Sequence, residues 1–123
     1  DAGTIISPML AEGQVHGGLA TGVAQALYEE VVYDEDGNLL TSNFIDYPVL
    51  SAREVPSFET THYETPSPNN PLGAKGIGES GTVGSTPAVQ NAVIDAIRHL
   101  GVTHIDMPMT PQKVWAAITS ASG

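Results

Sequence analysis

Cysteine is missing from all 123 residues, so the chain has no disulfide and no thiolate to offer zinc or an iron-sulfur cluster. Positive charge is scarce: Arg53, Lys75, Arg98 and Lys113 face fourteen acidic residues, a formal charge of −10. Such a balance repels nucleic acid and anionic membrane surfaces, which are set aside as partners. No apolar run approaches the ~20 residues that a membrane helix needs, so no membrane span is expected. The histidines His16, His62, His99 and His104 share no HxxxH spacing that would set two imidazoles on one helical face. A zinc site built within the chain is therefore not expected.

What is present is enough apolar material, 41% of the residues, for one modest core. The chain begins at Asp1 rather than Met and opens directly into extended residues, so a segment of a longer protein is expected. Glycine and proline are concentrated in one stretch. Residues 66–87, PSPNNPLGAKGIGESGTVGSTP, hold four of the nine prolines and five of the thirteen glycines, with Lys75 and Glu79 as their ionisable groups. Proline removes backbone donors and glycine loses much chain entropy on folding, so the stretch reads as a long loop without helix or central strand. Leu72, Ile77 and Val83 argue that it is held down, which makes it an ordered, functional loop. Its chemical group is the carboxylate of Glu79, set among glycines; the plainer alternative is a solvated loop charge.

Gly76-Ile77-Gly78-Glu79-Ser80-Gly81 has the form GxGxxG, a pattern that elsewhere cradles pyrophosphate between a strand and a helix. Here Asn69-Asn70-Pro71 precedes it and helical periodicity begins only near Thr86, so the dinucleotide reading fails. The phosphate-loop reading fails as well, because Glu79 stands where a lysine is needed and would repel phosphate.

The remaining elements follow from periodicity. Val15, Leu19, Val23 and Leu27 recur every four residues and predict a helix over residues 9–30. Its glycines Gly13, Gly17, Gly18 and Gly22 each cost about 1 kcal/mol relative to alanine. Either close helix packing across Gly18 and Gly22 or approach of a ligand near residues 14–18 would explain them. Residues 31–33 and 39–41 flank Asp34-Glu35-Asp36-Gly37-Asn38 and predict a hairpin. Residues 3–7, 43–48, 57–64 and 102–106 read as further short strands. Val89, Ala92, Val93, Ala96, Ile97 and Leu100 predict a second helix, with Ser85 or Thr86 as cap, Pro87 in its first turn and Gly101 past its end. Thr110-Pro111 opens a last helix carrying Val114, Trp115 and Ile118, with a tail from Thr119 that is expected to fray. The expected class is α+β, two or three helices packed on a small mixed sheet.

Several motifs in order resemble a known family. Gly13-Gln14-Val15-His16-Gly17-Gly18, Asp46-Tyr47, Thr65-Pro66-Ser67-Pro68, residues 72–79 (LGAKGIGE) and residues 101–108 (GVTHIDMP) look like the C-terminal end of the molybdenum-binding large subunit of the molybdenum hydroxylases. That family includes xanthine oxidase, aldehyde oxidases and aerobic carbon monoxide dehydrogenase. THIDMPMTPQKVW and HYETPSPNNPLGAKG make the likeness closer to the carbon monoxide dehydrogenase-like branch.

The resemblance implies that residues 1–123 are the C-terminal part of a larger molybdopterin-binding domain. It implies a molybdenum-molybdopterin cofactor, in the cytosine dinucleotide form, with FAD and iron-sulfur clusters on other domains or subunits. The partners would be the remainder of the large subunit, the FAD-binding and iron-sulfur subunits, and a small-molecule substrate, in the cytoplasm. By match of its motif Glu79 would be the active-site base, on a partly buried turn. Gln14 would hydrogen-bond the cofactor, with Gly17, Gly18, Lys75, Gly76, Ile77 and Gly78 around it. Lys75 would suit a structural ion pair equally well. The fragment alone would be inactive. Carbon monoxide oxidisers of the family carry Ala-Glu-Ser where this chain has Gly78-Glu79-Ser80, and their copper-binding cysteine would lie upstream. The substrate thus stays open among carbon monoxide, an aldehyde and a heterocycle, and a non-catalytic assembly module is the competing reading.

Overall fold

The computed structural model describes residues 1–121. Three helices carry the fold: α1 (Pro8–Leu27), α2 (Ser80–Ile97) and α3 (Pro111–Ala121), with a short 3-10 turn over Arg98–Leu100. Pro8 stands in the first turn of α1, where its missing N–H is no loss. Gly101, at φ 90°, ends the turn after α2 in the left-handed conformation that its position predicted. Thr119 to Ala121 complete α3 rather than fraying, and residues 122 and 123 lie outside the described residues.

The helices-on-sheet expectation is overturned. Among the described residues β pairing is limited to two single bridges, Gly3 with Ala74 and Tyr33 with Leu39. A strand needs a neighbour, and the segments read as strands find none in this chain. Residues 43–48 fold instead into a turn, because Asn43 Oδ1 accepts from the amides of Ile45 and Asp46 at 2.8 and 3.3 Å and its carbonyl accepts from Tyr47 N at 2.8 Å. The Asp34–Asn38 turn forms as predicted, with Gly37 at φ 82°, but its ladder stops at one bridge.

A second correction concerns residues 66–87, where no helix was expected before Thr86. Helix α2 begins at Ser80, with Glu79 at its N-cap and Pro87 inside it. Packing outweighs propensity here. Helix α1 lies so close that a Cβ built on Gly18 would stand 2.8 Å from Gly81 Cα, and one on Gly22 would stand 2.7 Å from Ser85 Cβ. Glycine lets the two backbones touch, and the contact supports a helix that its own residues disfavour.

The buried core sits at the far end of this pair. Val102, Ile105 and Met109 pack with Leu27, Val93, Ile94, Ile97, Val114 and Ala117. Burying Met109, 2% exposed, contributes about 1.5–3 kcal/mol. Met109 N donates to Ala26 O at 2.7 Å, and Lys113 Nζ to Glu30 Oε1 at 3.0 Å, so α3 is tied to the end of α1.

Candidate functional site

Residues 66–79 are the true loop, and the N-terminal segment fixes one side of it. Thr4 N donates to Gly73 O at 3.0 Å and Lys75 N to Ala2 O at 2.9 Å. Gly3, at φ 64°, has no room for a side chain, since a Cβ would lie 2.1 Å from Gly73 O. Asn70 closes the turn internally: its Oδ1 accepts from Leu72 N and Ala74 N at 3.1 and 3.2 Å while its Nδ2 donates to Ala74 O at 2.9 Å. The sequence reading missed Asn70 and Asp1. Asn-Asn-Pro is turn chemistry of the Asx kind and could have flagged the first; nothing local signals the second.

Lys75 is taken up by a salt bridge, its Nζ 3.1 Å from Asp1 Oδ2. Downstream of it the chain changes character. The amides of Gly76, Ile77, Gly78 and Glu79 donate to no protein acceptor among the described residues. A Cβ on Gly76 or Gly78 would meet nothing within 4 Å. Glu79 follows, exposed in this chain rather than partly buried, with no side-chain cap bond to its helix. Its carbonyl accepts from Thr82 N and Val83 N, both at 3.1 Å, so the backbone is fixed while the carboxylate is left free.

Gln14, on α1, reaches this turn: its Nε2 donates to Gly78 O at 3.2 Å. Gly17 faces open space, whereas Gly18 lies in the α1–α2 contact, which is the packing explanation for the helix glycines. His16 tilts against Phe58 at 5.7 Å between ring centroids. Its Nε2 is shielded from solvent without a hydrogen-bond partner, 3.8 Å from Glu12 Oε1.

Two hollows flank the turn. One, of about 300 Å³, is lined by Ile5, Leu10, Gln14, Lys75, Ile77 and Gly78; the other, of about 260 Å³, by Asp1, Val15, His62, Tyr63, Ile77 and Ser80. Ile77 divides them, and the neighbours of Glu79 line one each. A larger hollow of about 530 Å³ lies along the C-terminal half of α2, beside Gln90, Arg98 and His104, and contains none of the candidate residues. Among the described residues no group of three His, Asp or Glu side chains converges to hold a metal ion, and no helix is long and apolar enough to cross a membrane.

The molybdopterin cofactor-binding domain family matches residues 1–56. The carbon monoxide dehydrogenase large chain of Hydrogenophaga pseudoflava is 50% identical over 118 residues, covering 96% of this chain and 15% of the relative. The nicotine 6-hydroxylase large subunit of Paenarthrobacter nicotinovorans is 44% identical over 114 residues, covering 93% of this chain and 14% of the relative. Among solved structures, a Cu,Mo-CO dehydrogenase in its carbon monoxide reduced state superposes with a TM-score of 0.93 at 46% identity, over 98% of this chain and 15% of that one. The chain thus spans about 15% of the length of the relatives it matches.

Proposed function

We propose, from the premise that this chain belongs to the large-subunit family of the molybdenum hydroxylases, that residues 1–123 are part of the molybdopterin-binding domain of such a subunit. They form one wall of its cofactor site. The whole complex is an oxidoreductase acting on carbon monoxide, an aldehyde or a heterocycle. Its cofactor is molybdenum with molybdopterin in the cytosine dinucleotide form, and FAD-binding and iron-sulfur subunits complete it.

The observation that carries this reading is the turn at residues 76–79. Four consecutive free amides, two glycines open to an approaching group, and an unpaired carboxylate stand together beside Gln14. This donor set fits a cofactor rich in acceptor atoms. When bound, the molybdenum centre supplies oxygen transfer to substrate and takes up the electrons.

This chain's residues do the rest. The amides of Gly76, Ile77 and Gly78 donate hydrogen bonds, as does the second N–H of Gln14 Nε2, while Gln14 Oε1 accepts. Gly17 leaves room at the surface of α1. Lys75 holds Asp1, whose Oδ1 accepts from Thr65 N just before the loop. Glu79 takes up the proton released at the reacting oxygen; its glycine neighbour lets its carboxylate come close without a clash.

The test of the cofactor site is the molybdenum content and acid-released nucleotide of the full-length complex, with the 123-residue segment beside it. Molybdenum with cytidine monophosphate in the complex and neither in the segment is the expected result. A matured complex without molybdenum would overturn the reading in favour of an assembly module.

A further inference from the structure

Resting on the assignment of Glu79 as base, we infer that α1 is a clamp that sets the position of that carboxylate by holding the chain on both sides of it. The upstream point is Gln14, whose Nε2 donates to the carbonyl of Gly78, one residue before Glu79, at 3.2 Å. The downstream point is Gly81, two residues after Glu79. A Cβ there would lie 2.5 Å from Val15 O and 3.1 Å from Gly18 Cα. The converse holds at Gly18, where a Cβ would lie 2.8 Å from both Gly81 Cα and Thr82 N. Every atom in these contacts belongs to backbone, so no rotamer change relieves them.

Hydroxyls reinforce the second point. Thr82 Oγ1 donates to Gly18 O at 3.3 Å, and Ser85 Oγ shares its one hydrogen between Thr82 O at 3.1 Å and Gly18 O at 3.4 Å. Gln14 and Gly18 are four residues apart on α1 and share one face of it, so a single rigid helix sets both points. Among the described residues the carboxylate of Glu79 has no hydrogen bond or ion pair to locate it. Its position is inherited from Gly78 and Gly81. Gln14 is therefore a positioning residue for Glu79 in addition to any bond it gives the cofactor, and Gly18 serves the clamp rather than the cofactor.

The first arm uses the full-length complex from cells grown without molybdate, so that the cofactor plays no part. Gln14→Ala is expected to raise about fivefold the exchange of the amides of Ser80, Thr82 and Val83, which donate to Ile77 O and Glu79 O, the loss of one hydrogen bond, while residues 88–97 exchange as in the parent. Unchanged exchange of Ser80, Thr82 and Val83 would overturn the clamp. The second arm uses the molybdenum-loaded complex with whichever of carbon monoxide, benzaldehyde or quinoline the parent oxidises. Gly81→Ala is expected to lower kcat on the order of a hundredfold, the effect of a misplaced reacting group, at unchanged KM and molybdenum content. Gly84→Ala, whose Cβ meets nothing within 4 Å, keeps the parent kcat. Equal kcat in the two variants would overturn the proposal. Should Gly81→Ala fail to assemble, Thr82→Val removes the hydroxyl bond to Gly18 O without added bulk; lowered kcat with KM kept supports the clamp and parent kcat overturns it. If Glu79→Gln turns over like the parent, the base assignment fails, yet the exchange result stands independently.

Discussion

Glu79, exposed, and Asp34, half-buried, are two carboxylates in opposite circumstances. Asp34 is fully engaged: its Oδ1 accepts from Asp36 N and Asn38 N at 3.0 and 2.8 Å, and its Oδ2 from Asn38 Nδ2 at 2.9 Å. The bonds from Asn38 hold its carboxyl below the ordinary 3.8. Because the folded value is depressed, the stabilisation is complete above the unfolded value and is lost as pH falls through the lower, folded one. The amide resonances of residues 36–38 are thus expected to shift with acid at a midpoint below 3.8; a midpoint at or above 3.8 would contradict this. Asp-Gly made that turn legible in the sequence, since both the carboxylate cap and the positive φ are local chemistry. Glu79 was legible only as a carboxylate among glycines. Its freedom from any partner depends on α1 and the N-terminal segment, which hold the backbone around it, and such long-range contacts leave no mark in a local pattern.

Helix α1 was readable because one apolar position in four fixes a face, and its bounds fall within a few residues of the expectation. The start of α2 was not. Gly81, Gly84 and Pro87 all speak against a helix, and what overrides them is contact with α1, visible only once the two helices are placed together. That contact sorts the helix glycines. At Gly22 a Cβ would press on Ser85 Cβ at 2.7 Å and on Thr86 N at 3.0 Å. Overpacking costs about 1–3 kcal/mol, against a gain of about 1 kcal/mol for alanine over glycine in a helix. Gly22→Ala is therefore expected to lower the melting temperature of the complex, whereas Gly84→Ala, with open space at its Cβ, is expected to raise it or leave it unchanged. Equal shifts in the two variants, measured by calorimetry, would contradict this account of the glycines. The strands failed for the complementary reason: residues 57–64 and 102–106 carry extended-type sequence, but alternation cannot supply the partner that a sheet requires.

At the scale of the whole molecule, many large apolar side chains stand exposed around a small core. Phe44, Ile45 and Trp115 are 84%, 93% and 68% exposed, and Met9, Leu10, Tyr63 and Leu72 are uncovered as well. Surfaces of this kind mark interfaces, and the chain spans about 15% of the length of the relatives it matches. The isolated segment is expected to bind a hydrophobic dye and to self-associate on gel filtration, while the full complex does neither; a monomeric segment that leaves the dye unbound would count against the subunit-fragment reading. The family was legible at this scale because order and spacing of several motifs along nearly the whole chain outweigh any single string. The fold class was not, since the segments with strand-like sequence find no more pairing among the described residues than two single bridges. The central claim concerns one carboxylate, and the most direct measurement is turnover per molybdenum of the full complex carrying Glu79→Gln. The loss of a general base predicts a fall of about 10²–10⁴-fold at normal molybdenum content. Turnover equal to the parent at the same molybdenum content would contradict the assignment of Glu79 as the base.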